Sequence, residues 1–219
     1  KPTQPVMKEE AIRAPSWSVQ ARGRQRIAIL AACRSTAHDK YASNTPLQSL
    51  LLPSIVQTVT DREREAFDVR VYVALDSDDM FWVEWADQLR TDAVWLQLHV
   101  RYYSKVGQRI PFNELAQEAL DDGAEVFVRV NDDTEFLTSG WITLGVTALR
   151  QTASGAGVVG PDVVETASKY SLAARESNLR RSSPRGQAAQ QKDEGVAILT
   201  HDMVTRTHLD IFPTYYPEH

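Results

Sequence analysis

From Arg24 onward, runs of consecutive apolar residues alternate with stretches in which apolar residues recur every three or four positions. The runs are read as strands buried on both faces and the periodic stretches as helices covering them. Their alternation predicts a layered α/β fold with a largely parallel central sheet. Arg26-Ile27-Ala28-Ile29-Leu30-Ala31-Ala32 predicts a central first strand. Thr45-Pro46 supplies an N-cap and a first-turn proline for a helix turning Leu47, Leu50, Leu51, Ile55 and Val59 to the core, and Pro53 is expected to kink or divide it. Asp68 to Leu75 reads as the second strand, Phe81, Trp82 and Trp85 as part of the next helix, and Val94 to Tyr102 as the third strand. Pro111 to Leu120 is an amphipathic helix stopped near Gly123, and Glu125 to Val130 is the fourth strand. Gly140-Trp141 opens a helix through Leu149, and Gly157 to Asp162 reads as a short strand and turn. Val196 to Thr200 returns to the sheet, with a helix expected from His201 or Asp202 to Ile211.

Outside these elements the pattern changes. The first 23 residues, with Pro2, Pro5 and Pro15 among alternating charges, read as a flexible leader or linker with Trp17 as a docking point, ahead of one domain over 24–219. Thr166 to Glu194 is polar and carries Lys169, Arg175, Arg180, Arg181, Arg185 and Lys192. It reads as a long mobile loop where connections average ~4–6 residues, either a solvated excursion or a lid over a bound ligand. A chain of 219 residues buries a core without staples, and its single cysteine, Cys33, excludes a disulfide framework and any multi-cysteine metal site. With 24 Lys+Arg against 29 Asp+Glu, a net charge of -5, no nucleic-acid partner is expected. The longest apolar run is of strand length, so no membrane span is expected in this chain either. Lys1 at the first position indicates a processed or trimmed chain, so no compartment follows from the lack of a signal peptide.

In open α/β sheets, ligands bind beyond the carboxyl ends of the strands. Three of those ends are polar here: Cys33-Arg34-Ser35-Thr36, Asp76-Ser77-Asp78-Asp79 and Asn131-Asp132-Asp133. Adjacent carboxylates at the exit of a buried strand repel one another unless a cation or hydrogen bonds offset them, and Mg2+ or Mn2+ does so with one or two carboxylates plus substrate phosphates. The other reading is a solvated acidic turn. Asp76 to Asp79 could accept from a ribose or base, or could complement a helix N-terminus. Arg34 could meet a phosphate or an acidic neighbour, and Cys33 is read as a small buried side chain rather than a nucleophile. His201 and His208 are separate candidates, while His38 and His99 have no adjacent ligand pattern.

The strand Ile27 to Ala32, Asp76-Ser77-Asp78-Asp79, the Gly107 to Asn113 segment before an Ala-rich helix, and Val126 to Val130 running into Asn131-Asp132-Asp133 resemble a nucleotide-sugar glycosyltransferase of the GT-A fold. Thr134-Glu135-Phe136-Leu137 with Gly140-Trp141, Gly157-Val158-Val159-Gly160-Pro161, Ile198-Leu199-Thr200 and Thr207 to Phe212 are similar to a family-2-like subgroup. The resemblance implies a single Rossmann-like GT-A domain and a metal-dependent, hexosyltransferase-type, inverting enzyme. It would move a sugar from a UDP- or GDP-linked donor to a hydroxyl of a glycan or protein acceptor. Ala32, Cys33, Arg34, Asp76, Asp78, Asn131 and Asp132 would serve the nucleotide, and Asp133, matching the last Asp of an Asp-x-Asp motif, would hold Mn2+ or Mg2+; no catalytic base is assigned. Asn131 departs from that motif's first position. The subgroup also implies an acidic, tryptophan-containing motif beyond Tyr215-Tyr216-Pro217, which a sequence ending at His219 does not include. The alternative function is a non-catalytic GT-A-like binding or scaffolding module of a larger assembly. A sugar-phosphate nucleotidyltransferase is disfavoured because no Gly-rich phosphate loop follows the first strand.

Overall fold

Ile27 to Ala31, none of it exposed, forms the middle of β1 (Gln25–Cys33). In the computed structural model, which describes residues 23–104, 110–152, 156–161, 201–212, 214 and 215, this strand lies inside a six-stranded sheet. β1 pairs in parallel with β2 (Phe67–Asp76) on one side and β4 (Val126–Asn131) on the other, and β2 continues to β3 (Gln97–Tyr103), also parallel. β6 (Asp202–Thr205) then pairs antiparallel with β4, and β5 (Val158–Val159) antiparallel with β6, giving the order β3-β2-β1-β4-β6-β5. This mostly parallel sheet flanked by helices is the Rossmann-like layout expected of the GT-A fold. The sheet belongs to one compact unit, Lys1–Val159 with Thr200–His219. The other, Gly160–Leu199, contributes Gly160 and Pro161 to the described residues.

Alternate residues of the strands feed two cores. Ile27, Ile29 and Ala31 pack with Leu47, Leu51, Leu52, Ile55, Trp82, Ile142 and Val146 on one face. Ala28, Leu30, Tyr72 and Phe127 pack with Phe112, Leu115, Ala116 and Ala119 of α4 (Phe112–Asp121) on the other. α4 ends where Gly123 takes φ +85, a left-handed conformation that a side chain would resist.

Pro53 divides the first helix, as expected. A π-helical turn over Leu47–Leu51 precedes α1 (Leu52–Thr58), and the Leu52 N–H reaches back to the Leu47 carbonyl. Proline has no N–H to offer and its ring crowds the preceding turn, so the widened turn absorbs it. Thr45 caps this segment through Gln48 N–H to its Oγ1 (3.4 Å).

Three elements differ from expectation. A helix absent from the sequence reading, α2 (Asp61–Ala66), is announced by a Thr60/Glu63 capping box. The third strand begins at Gln97 rather than Val94, which is fully exposed. The helix expected from His201 or Asp202 begins only at Arg206, as α6 (Arg206–Ile211), because Asp202 to Thr205 are buried and extended along β4. The remaining helices, α3 (Met80–Trp85) and α5 (Trp141–Arg150), lie where the periodicity placed them. Residues 1–22, the segment 105–109, Asp162, the loop Thr166 to Glu194, the strand Val196 to Thr200 and Tyr216-Pro217 lie outside the described residues. Among the described residues no helix is long and apolar enough to cross a membrane.

Near the start of β1 and β2, Asp68 accepts from Arg26 Nε (2.9 Å) and Arg70 Nη2 (3.0 Å). Burial pushes its carboxyl up, but the two guanidinium groups outweigh burial and hold it below the usual carboxylate range. A carboxyl lowered in the folded state adds stability above its unfolded pKa, near ~4, and loses it as pH falls through the folded value. Asp68→Asn is therefore expected to lower stability at pH 7 and to flatten the loss of stability below about pH 4, measured by urea unfolding across pH.

Candidate functional site

Because β1, β2 and β4 run in parallel, their carboxyl ends share one edge of the sheet. Ala32 pairs with Ala74 of β2 and with Asn131 of β4. The chain leaves β1 for β2 and β3 on one side and returns to β4 on the other, so the gap between β1 and β4 is a topological switch point, where such sheets bind ligands. Ala32, Cys33 and Arg34, Asp76 and Asp78, and Asn131, Asp132 and Asp133 thus come from three adjacent strand exits.

On the β2 side, Arg34 Nε lies 3.7 Å from the Asp76 carboxylate, both partly exposed. Asp79 is the N-cap of α3: its carboxylate accepts from the Phe81 N–H (3.1 Å) and from Ser35 through both N–H and hydroxyl (2.8 Å each). Of the two readings of this cluster, Asp79 takes the helix-terminus one, and it also ties the exit of β1 to α3. Asp78 stays exposed in the turn.

On the β4 side, Asn131 closes the strand and its carbonyl accepts from the Thr134 N–H (3.2 Å), folding Asp132 and Asp133 into a tight turn. The two carboxylates part company there. Asp132 is half-buried beside Cys33; burial and the neighbouring Asp133 charge raise its pKa, although the thiol works the other way. Cys33 itself is 5% exposed, and burial, then Asp132, pushes its thiol far up, so it is a small inert side chain, as expected. Asp133 is exposed.

The structure adds His201 to this group. Its Nε2 lies 2.8 Å from Thr134 Oγ1, and burial followed by the Arg129 charge lowers its pKa, with Asp133 and Asp202 pulling the other way. The imidazole is therefore neutral at pH 7 and within electrostatic reach of Asp133. Only the antiparallel pairing of β6 with β4 brings it there, and no local pattern in the sequence signals that pairing. Behind it, buried Asp202 accepts from Arg129 Nε (2.8 Å), Arg129 Nη2 (2.7 Å) and the Tyr215 hydroxyl. His208 packs instead against Phe212 and Tyr215, and His99 stacks on Tyr72.

Among the described residues no three His, Cys, Asp or Glu side chains gather into a ready cluster for a metal ion. One exposed carboxylate and one neutral imidazole, with half-buried Asp132 on the same turn, fit the kind of site that Mg2+ or Mn2+ completes with water and substrate phosphate oxygens.

No family model matches the chain, and no curated protein matches it. Among solved structures, it is similar to S. aureus TarS (14% identity, TM-score 0.47, covering 88% of this chain and 50% of that one). It is also similar to a mannosyltransferase from Pyrobaculum calidifontis in complex with GDP-Man and Mn2+ (14%, TM-score 0.48, 89% and 48%). A third is 4-diphosphocytidyl-2C-methyl-D-erythritol synthase from Anaerococcus prevotii (14%, TM-score 0.45, 90% and 80%). The chain thus spans about half the length of the first two. Likeness at this level concerns the layout of sheet and helices, and the chemistry of the site is read from its own residues.

Proposed function

We propose that the chain is a metal-dependent glycosyltransferase, moving a sugar from a UDP- or GDP-linked donor to an acceptor hydroxyl on a glycan or protein. The observation that carries this reading is the meeting of the acidic β4 tip with the exits of β1 and β2 at the switch point of the sheet. In it, Ala32, Cys33, Arg34, Asp76 and Asp78 border the nucleoside, with Asn131 and Asp132 completing the wall between β1 and β4. Cys33 contributes backbone and bulk rather than a reactive thiol. Arg34 and Asp76, partly exposed and already paired, offer a donor and an acceptor for the ribose and base. Asp133 and His201 would hold Mn2+ or Mg2+, which when bound supplies Lewis-acid stabilisation for a departing diphosphate. Thr134 orients the His201 ring.

Titration calorimetry of the chain with UDP and with GDP, each with Mn2+, with Mg2+ and with chelator, tests this. Saturable binding that disappears with chelator is expected; metal-independent binding, or none, removes the metal site. Metal-dependent binding without sugar transfer or donor hydrolysis would assign the non-catalytic module instead.

A further inference from the structure

The loop after the acidic tip leads into α5, where Phe136 stacks on Trp141 with ring centroids 4.3 Å apart. The N-cap position of α5 is Gly140, at φ +78, and no side chain there caps the helix. The first N–H groups of a helix need acceptors from elsewhere. For α5 one comes from Glu63, 80 positions away in sequence, whose Oε1 accepts from the Thr143 N–H at 2.7 Å. Its other oxygen, Oε2, accepts from the N–H and hydroxyl of Thr60, both at 3.0 Å, within the capping box of α2. Glu63 is 1% exposed, and among the described residues no Lys, Arg or His forms an ion pair with it. Its charge is held by donors at the N-termini of two helices, where the positive helix ends favour it.

Two further bonds run parallel to this one. The Phe136 N–H donates to Ser54 Oγ (3.0 Å), and the Gly140 N–H to the Thr58 carbonyl (3.0 Å). Ser54 and Thr58 are buried on α1, and their hydroxyls donate to the Leu51 and Ser54 carbonyls, which ties both residues to the preceding turn. Residues 136, 140 and 143 are thereby fastened to α1 and α2, and the turn carrying Asp132 and Asp133 is suspended between this clamp and the end of β4.

We infer that Glu63 is a positioning residue for the acidic tip: it touches neither Asp132 nor Asp133, and sets where their turn lies by anchoring α5. That the tip serves a metal and a nucleotide rests on the reading above; that Glu63 holds the tip does not. Three variants of the full chain separate the roles. Glu63→Ala removes both arms. Glu63→Gln keeps one acceptor for Thr143 within a capping box that tolerates Gln. Thr60→Ala weakens the α2 cap while leaving the arm to Thr143, and so controls for stability alone.

Hydrogen exchange at the Phe136, Gly140 and Thr143 amides is expected to quicken about tenfold in Glu63→Ala and less than threefold in Glu63→Gln, with Thr60→Ala near wild type, as suits loss of one charge-assisted bond. Mn2+-dependent UDP or GDP affinity should fall in the same order, about tenfold for Glu63→Ala. Should Glu63→Ala not fold, Glu63→Asp, which keeps the charge but is one methylene short, takes its place. Unchanged exchange at the three amides in folded Glu63→Ala or Glu63→Asp, or equal loosening by Thr60→Ala, would overturn the inference. Absence of nucleotide binding by the wild-type chain removes the site reading, while the exchange result still decides the role of Glu63.

Discussion

Asp133→Ala is expected to weaken metal-dependent UDP or GDP binding about a hundredfold, a loss of about 2.7 kcal/mol, and Asp132→Asn by less than tenfold. The difference comes from the environments of two adjacent carboxylates. Asp132 is half-buried, and burial raises its pKa, so an ion approaching it meets a carboxylate already drawn partly out of water. Asn at that position keeps the size and polarity of the side chain. Asp133 is exposed on the same turn and close enough to act on His201. Calorimetry of both variants with Mn2+ and nucleotide checks this. Equal losses, or none from Asp133→Ala, would show that the ion is held elsewhere or not at all.

Asp202→Ala is expected to give the largest stability loss, about 3–5 kcal/mol, because it removes the carboxylate oxygen that accepts from both Nε and Nη2 of the largely buried Arg129 guanidinium. For a chain of this size that is a fall in melting temperature of roughly 10 °C or more, read by circular dichroism. Tyr215→Phe removes one hydrogen bond to the same carboxylate and should cost about 1 kcal/mol. Replacing both charges with apolar residues of similar volume should recover part of the Asp202→Ala loss, since part of it is the penalty of taking this carboxylate from the guanidinium rather than the worth of the pair. A drop of less than about 1 kcal/mol for Asp202→Ala would mean that Arg129 reaches water once its partner is gone.

The legible part of the fold was the part written in consecutive residues. Ile27 to Ala31 and Val126 to Val128 are buried on both faces, and a run of apolar residues announces that directly; Pro53 and Gly123 acted where their backbone chemistry required. The same logic placed the acidic tips at strand exits. Asp202 to Thr205 were misread because a polar residue at the head of a short strand looks like a helix start, and its burial depends on Arg129 from another strand. His201 was missed as a partner of the β4 tip for the same reason: its place follows from pairing across the sheet. The Thr60 and Glu63 box was visible in the sequence, but the second role of Glu63 depends on Thr143, which no local motif identifies.

The antiparallel pairing of β6 also orders events in time. The site depends on two distant pairings: β1 with β4, which joins Ile27 to Val126 across 99 residues, and β4 with β6, in which the Arg129 to Asp202 bond closes a separation of 73. Closing a longer loop costs more chain entropy, and pairings of high sequence separation form late and slowly. The acidic tip meets the exit of β1 through the first of these pairings, and His201 through the second. A nascent chain that has made β4 but not β6 carries the carboxylates without the imidazole, so assembly of this site is a late step of folding rather than an early one.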